Sequence, residues 1–234
     1  MDVHGLNPAN LVHLRHRDLH TATTRDGWVV GVTDNSPDVL VPAALSFAKG
    51  KTTSQGNEMF EEDLRLALAG LVVPQLSVGL SAHQFEVKSR EKVWRQLNAD
   101  FGATWTVTPE LGLAAVAYDF LDSDRELPDE VRLRPRTGLG MNYVYRNFMR
   151  ARADIVSDGG NHFGRRSLLL GFETYMNKYF LARLGWGDER ANDRQIGTIG
   201  FGLDLPRFRL NYAYQTALKG ELENWHAIDL GIPF

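Results

Sequence analysis

Residues 207–215 read RFRLNYAYQ, and their side chains alternate between polar and apolar character. Successive side chains of a β-strand point to opposite faces, so this alternation predicts a strand with two unlike surfaces. One face is apolar and carries Phe208, Leu210, Tyr212 and Tyr214. The other face carries Arg207, Arg209, Asn211 and Gln215, together with Ala213. The first face therefore requires apolar surroundings, and the second requires water.

The same alternation recurs along the chain and predicts about fourteen strands. They lie near residues 13–22, 27–34, 38–48, 62–71, 75–88, 92–106, 110–121, 129–144, 147–157, 164–174, 179–187, 195–205, 207–217 and 225–234. Residues 58–71 are ambiguous, because the spacing of Glu61, Leu64, Arg65 and Leu68 also fits a helix. We favour a strand there, because it preserves the rhythm of the neighbouring connections.

The connections between these strands alternate in length. Tight turns contain pairs such as Val73-Pro74 and Leu205-Pro206, and they alternate with longer polar loops near residues 49–61, 88–92, 121–130, 157–163, 187–194 and 217–224. This rhythm is typical of an all-β, up-and-down antiparallel transmembrane β-barrel, whereas a Greek-key sandwich would not keep it. An even strand count places both termini at the short-turn end.

Composition limits the alternatives. The 234 residues are 43% hydrophobic with a mean hydropathy of -0.28, and no stretch reaches the roughly 18 consecutive apolar residues of a spanning helix. A net charge of -3 with interspersed signs argues against a nucleic-acid partner. The absence of Cys excludes disulfides, thiolate metal sites and Cys nucleophiles.

The N-terminus carries no basic segment followed by an apolar run, so export requires a signal segment ahead of Met1. We expect residues 1–12 to be a short N-terminal segment, truncated if such residues precede it, and residues 13–234 to be one barrel domain. The C-terminal strand, 225–234, is expected to close the barrel against the strand near 13–22. Its candidate assembly residues are Trp225, Ile228, Leu230, Ile232 and Phe234.

Several short motifs resemble one family of barrels. Residues 6–11, LNPANL, resemble the NPA-type segment that precedes the first strand in the superfamily of the long-chain fatty-acid transporter FadL and the type IX secretion component PorV. Residues 100–105, 171–173, 181–186 and 212–214 fit the same style. The C-terminal strand is similar to the signal by which outer-membrane barrels are recognised and inserted by the barrel-assembly machinery.

The resemblance implies a bacterial outer-membrane protein, embedded in lipid, that passes or binds small hydrophobic or amphiphilic molecules without enzymatic chemistry or cofactors. It also implies an alternative, a non-transporting docking or assembly component with secretion partners. FadL-like transporters hold an N-terminal hatch inside the barrel, and the few residues before the first strand predict that a plug is absent or truncated. A soluble barrel that binds apolar ligands internally is a third, weaker interpretation.

Candidate lumen residues form a basic set. We expect Arg132, Arg134 and Arg136 to share one face of a strand, next to Arg150, Arg152 and Asp154 on the following strand. Such a set could attract anionic head groups, or it could pair internally with Glu173 and Asp229. Arg183 completes the candidate site. Metal sites at His13, His16 and His20, or at Asp122, Asp124, Glu126 and Asp129, are less favoured than a rim and a solvated loop.

Overall fold

The computed structural model describes residues 7–14, 17–54, 57–90, 92–121, 127–128, 131–158, 166–190, 193–220 and 223–234. Fourteen antiparallel strands, each paired with its neighbours in sequence, form a closed barrel in which β1 pairs with β14. The strand bounds are β1 Arg17–Thr24, β2 Gly27–Asp34, β3 Ala43–Ser54, β4 Asn57–Val73, β5 Leu76–Lys88, β6 Val93–Thr106, β7 Leu111–Tyr118, β8 Arg136–Tyr145, β9 Met149–Asp158, β10 Arg166–Tyr175, β11 Phe180–Glu189, β12 Arg194–Asp204, β13 Arg209–Lys219 and β14 Trp225–Pro233.

The predicted fold class and strand count are confirmed, and the ambiguous segment within 58–71 is part of strand β4. One short 3₁₀ helix, Pro8–His13, precedes β1. Within the described part of the chain, no helix has the length and hydrophobicity to cross a membrane.

The predicted loop at 49–61 is wrong, because β3 continues to Ser54 and β4 begins at Asn57. The polar residues of this segment satisfy one another across the two strands. Lys49 forms an ion pair with Glu62 at 3.0 Å, and Lys51 forms one with Glu58 at 2.6 Å. Opposite charges placed on one face of an antiparallel pair stabilise the ladder, so polarity alone does not end a strand.

The predicted strand at 129–144 is too long, because β8 begins at Arg136. Pro135 immediately precedes it, and proline lacks the N–H that a strand ladder needs while restricting the residue before it. Arg132 and Arg134 therefore lie in the connection between β7 and β8. The predicted alignment of three arginines on one strand is wrong.

The barrel wall is apolar outside and polar inside. Outward side chains remain exposed, among them Leu97, Leu139, Leu170, Leu184 and Phe201. Inward positions hold most of the buried polar side chains, among them Asp18, Ser46, Asp63, Ser81, His83, Asn98, Asp100 and Asp229. This distribution is the reverse of the one in a soluble globular protein.

Strand β14 closes the barrel as predicted, with Thr21 opposite Leu230 and Ala22 opposite Asp229. Ile228, Ile232 and Phe234 point outward and are exposed, whereas Asp229 is buried in the interior. Trp225 begins the strand. By alternation Trp225 shares the face of Asp229, opposite to Ile228.

Closure can be tested by crosslinking, because the chain has no Cys of its own. Thr21→Cys combined with Leu230→Cys places two thiols on directly paired residues, whose Cα atoms lie within reach of a disulfide. We expect oxidation to produce a crosslinked chain that migrates faster on a denaturing gel and reverts on reduction. Thr21→Cys with Phe201→Cys on β12 is the control. Equal crosslinking of both pairs, or none in the first, would contradict the closure.

Candidate functional site

The barrel encloses a cavity of about 1080 Å³. Its lining includes the N-terminal residues Leu11 and Leu14 on one side and Arg150, Arg152 and Arg183 on the other. The volume slightly exceeds the usual range of small-molecule sites, about 300 to 1,000 Å³. The cavity therefore joins an apolar surface to a basic one.

Residues 7–14, which we call the N-terminal plug, lie inside the barrel against β4, β5 and β6. The Asn7 side chain accepts a hydrogen bond from the Ala9 N–H at 3.0 Å and so caps the 3₁₀ helix, in which Pro8 occupies the first turn. The Asn7 amide also donates to the carbonyl oxygens of Ala103, at 3.0 Å, and Ala115, at 3.1 Å. One side chain thus both starts the helix and attaches it to the barrel wall.

Small residues on the wall make room for the plug. A Cβ on Gly79 would overlap the backbone of Pro8 and Ala9, and a Cβ on Gly102 would overlap the Asn7 side chain. Leu11 packs on Ala67 and Ala69 of β4. The NPA-type motif was recognised in the sequence, but the strand positions that receive it were not, because they lie about 55 to 95 residues further along the chain.

The base of the plug is held at the short-turn end. Asn35 donates hydrogen bonds to the carbonyl oxygens of Val12, at 3.0 Å, and Leu14, at 3.1 Å. Beside it, the Ser36 hydroxyl and N–H donate to Asp34, and these bonds lower the pKa of the Asp34 carboxyl group. Arg17 also reaches Asp34, at 3.1 Å, so the start of β1 and the end of β2 are linked at this rim.

Four residues of the predicted basic set lie together on the lumen side of β9, β10 and β11. The Arg183 Nε atom donates to Glu173 at 2.6 Å, and Arg150 lies 3.5 Å from the other oxygen of that carboxylate. Arg183 also donates to Asn211 at 2.8 Å, and Asn211 donates to Asp229 at 2.6 Å. Arg152 faces the same cavity. The expected internal pairing therefore occurs at Glu173, and Asp229 is reached through Asn211.

The other predicted arginines are elsewhere. Arg132 donates to the Leu127 carbonyl oxygen at 2.6 Å, within the connection between β7 and β8. Arg136 lies at the start of β8, 3.4 Å from Asp119. Arg134 belongs to the same connection as Arg132, so neither residue extends the arginine face of β9.

A second charged cluster, which we call the His83 network, lies on the opposite wall and was not predicted. Its members are Asp63 and Arg65 on β4, Ser81 and His83 on β5, Asp100 on β6 and Asp119 after β7. The His83 Nδ1 atom is 3.2 Å from Asp63, and its Nε2 atom is 3.2 Å from Asp119. Asp100 pairs with Arg65 and accepts from the Ser81 hydroxyl at 2.7 Å. The sequence of 58–71 also fits a helix, and only a strand places Asp63 and Arg65 on the same face.

His83, Asp100 and Asp119 bring potential metal-ligand atoms within 4.8 Å of one another. The Arg65 guanidinium already pairs with Asp100, and Arg136 approaches Asp119, so two cations balance this group. Of the candidate histidines, His13 ends the plug helix and His20 lies on β1, while His16 is outside the described residues. The acidic group at 122–129 also lies outside them, apart from residues 127 and 128.

Comparison with protein-family models gives no match, and comparison with curated sequences gives none either. Solved structures do match. The toluene transporter TbuX of Ralstonia pickettii has a TM-score of 0.69 at 11% identity, covering 97% of this chain and 92% of that chain. A Pseudomonas aeruginosa FadL homologue has a TM-score of 0.68 at 11% identity, covering 97% and 93%. This chain has the fold of the FadL-type barrels.

The toluene transporter TodX of Pseudomonas putida agrees with this assignment, with a TM-score of 0.67 at 12% identity over 97% of this chain and 91% of that chain. The fold implied by the motif resemblance is thus confirmed for the FadL side. The ligand-binding role of the arginines and the assembly role of β14 remain predictions.

The seating of the plug can be tested at Gly102. We expect Gly102→Val to displace the plug, because any side chain there would overlap Asn7. Ala9 is fully buried, so in an Ala9→Cys background the reaction with a small maleimide should accelerate about tenfold, corresponding to about 1.4 kcal/mol. Gly70→Val is the matched control, since a Cβ on Gly70 has no neighbour within 4 Å. The same rate in both variants would contradict the seating.

Proposed function

We propose that this chain is an outer-membrane β-barrel through which small hydrophobic or amphiphilic molecules pass, or in which they bind, without covalent chemistry. The observation that carries the proposal is a closed barrel with an apolar exterior and a cavity of about 1080 Å³ left beside the plug. The neighbours TbuX and TodX are described as toluene transporters, which supports a passive route for small apolar solutes.

The exterior supports a position in a membrane. Large apolar side chains are exposed on nearly every strand, for example Leu19, Val30, Leu66, Leu80, Met141, Ile155, Phe172, Ile199 and Leu210. Monomeric proteins in water rarely expose contiguous apolar patches of this extent. A closed barrel satisfies its backbone hydrogen bonds internally, as the hydrocarbon interior requires. The end that holds the turns at 74–75, 146–148 and 176–179 then faces the periplasm, and the end that holds the connection between β7 and β8 faces outward.

The two walls of the cavity suit an amphiphile. Leu11 and Leu14 of the plug provide an apolar surface, while Arg152 presents a guanidinium to the same space. Arg150 and Arg183 share Glu173, so part of their charge is already balanced. Within the described residues, no ion pair within 4 Å involves Arg152, which makes it the best candidate contact for an anionic head group.

The connections at the loop end give the alternative function, a docking or assembly component, less support than they give transport. The connection between β5 and β6 spans only residues 89–92, and that between β11 and β12 spans residues 190–193. Apart from the connection between β7 and β8, residues 119–135, the connections at this end have two to seven residues between the described strands. Connections this short offer little surface on which to hold a large partner. The transport interpretation is therefore preferred.

Solute passage can be tested in liposomes with two probes, toluene and laurate. We expect Arg152→Glu to reduce laurate uptake about tenfold, because replacing a charge-assisted contact by repulsion costs at least about 1.4 kcal/mol. Toluene uptake should change less than twofold. Arg134→Glu is the control, since Arg134 lies in the connection between β7 and β8 and is not among the residues that line the cavity. Equal uptake by empty liposomes and liposomes with the wild-type protein would refute transport.

The assembly role of the last strand can be tested at Phe234, whose side chain is 71% exposed. Phe234→Ala removes little packing, so a fall in the fraction of folded, heat-modifiable barrel in cells would indicate recognition during assembly. Met176→Ala is a matched control, because Met176 is 72% exposed in a turn between strands. If both variants assemble like the wild type, the predicted signal is wrong.

A further inference from the structure

The four longest strands of the barrel are neighbours. Strands β3 to β6 have 12, 17, 13 and 14 residues, whereas each of the other ten has 8 to 11. Strands β4 and β5 are joined by a tight turn at the short-turn end, so their additional length extends toward the loop end. The barrel therefore has one raised side, formed by β3, β4, β5 and β6.

On this raised side, the outer surface changes from apolar to charged between two successive rows of paired residues. One row reads Phe47, Leu64, Gln84 and Leu97 across β3 to β6. The next outward-facing row reads Lys49, Glu62, Glu86 and Arg95. Beyond it follow Lys51, Phe60, Lys88 and Val93. A change this sharp is expected where an outer wall leaves the hydrocarbon and reaches the lipid headgroups.

In the pairs that Lys88 and Arg95 form with Glu62 and Glu86, the cations are the more exposed partners. Lys88 contacts Glu62 at 2.8 Å and Glu86 at 2.9 Å, and Arg95 also pairs with Glu86. The Glu86 side chain is 10% exposed and that of Arg95 is 70% exposed. Long cationic side chains thus cover the carboxylates that hold them.

Among the described residues of these outward rows, cations also outnumber carboxylates. The cations are Lys49, Lys51, Lys88 and Arg95, and the carboxylates are Glu58, Glu62 and Glu86. Arg90 and Lys92 lie beside Glu91 in the connection between β5 and β6. Lys51 donates a hydrogen bond to Glu58 and lowers the pKa of its carboxyl group, with a smaller contribution from Arg90. These carboxylates therefore stay ionised and hold the cations in place while leaving an excess of positive charge.

The loop end on the other side of the barrel is different. There, Lys219 pairs with Asp193, and the carboxylate is the more exposed partner, at 88%. Arg190 and Arg194 pair with Asp188 and Glu189. Among these described ion pairs, three cations face three carboxylates, so this set carries no positive excess.

We propose that the outward face of this raised side, which we call the β3–β6 rim, binds the phosphorylated headgroups of glycolipids in the outer leaflet. The proposal rests on the membrane position given under the proposed function. Phosphate groups complement clustered Lys and Arg, and the rim stands directly above the apolar band, at the depth where lipid headgroups lie. A lipid so held packs its acyl chains along Phe47, Leu64 and Leu97.

The test uses the purified full chain in detergent and a titration with bis-phosphorylated lipid A. We expect Arg90→Gln with Lys92→Gln, both in the connection between β5 and β6, to weaken lipid A binding at least fivefold. A second variant, Lys51→Gln with Arg95→Gln, should give a similar loss. The matched control, Arg190→Gln with Lys219→Gln at the loop ends of β11 and β13 on the other side of the barrel, should change binding less than twofold. Heat-modifiable migration verifies that each variant is folded.

Two further arms identify the ligand. Dephosphorylated lipid A should bind the wild-type chain at least fivefold more weakly than the phosphorylated form, and inorganic phosphate should not compete at equal concentration. Equal binding of both lipids, equal loss in the rim and control variants, or displacement by inorganic phosphate would overturn the proposal. If the chain binds lipid A but transports neither laurate nor toluene, the transport function is refuted, whereas lipid binding at the β3–β6 rim is supported.

Discussion

The pairing of β1 with β14 is the constraint on which the rest of the structure depends. It aligns Asp18 to Thr24 with Ala227 to Pro233 and removes the two free edges that fourteen strands would otherwise present. An unpaired backbone group in hydrocarbon costs several kcal/mol, so an open sheet could not occupy a membrane. Closure also fixes which side of every strand is inside. The apolar exterior and the polar interior both follow from the closure of the barrel.

A polar interior must be satisfied without a hydrophobic core, and the barrel does so with two charge networks on opposite walls. Asp63, Arg65, His83 and Asp100 link β4, β5 and β6, while Glu173 binds arginines from β9 and β11. Each network joins side chains of adjacent strands at matching register, so the charges compensate one another locally. Removing one member would leave an unbalanced charge in a poorly hydrated space, which is more costly than losing a surface pair.

Periodicity of two was sufficient to predict the strands, because every strand has one lipid-like and one water-like face. It failed where charge was taken as a sign of a loop, since Lys49 and Glu62 pair on the outer face of a continuing ladder. The alternation also predicted a strand that continues through Pro135, but proline has no N–H to donate and β8 begins only at Arg136. The basic face was predicted in part, because Arg150, Arg152 and Arg183 depend on alternation, whereas Arg132 and Arg134 depended on a strand that is not there. The seat of the plug requires Asn7 to meet Gly102, and no local pattern encodes a contact across that separation.

These features divide the lumen into two halves with different roles. Along β4 to β6, the plug covers the short-turn half of the wall and the His83 network occupies the wall beyond it. Farther toward the loop end, Val131 packs on Met59 and Val87, so this side is covered along most of its length. The cavity instead extends along the wall that carries Arg150, Arg152, Arg183 and Asn211. Residues 7–14 therefore narrow the lumen against one wall and leave the cavity along the basic wall.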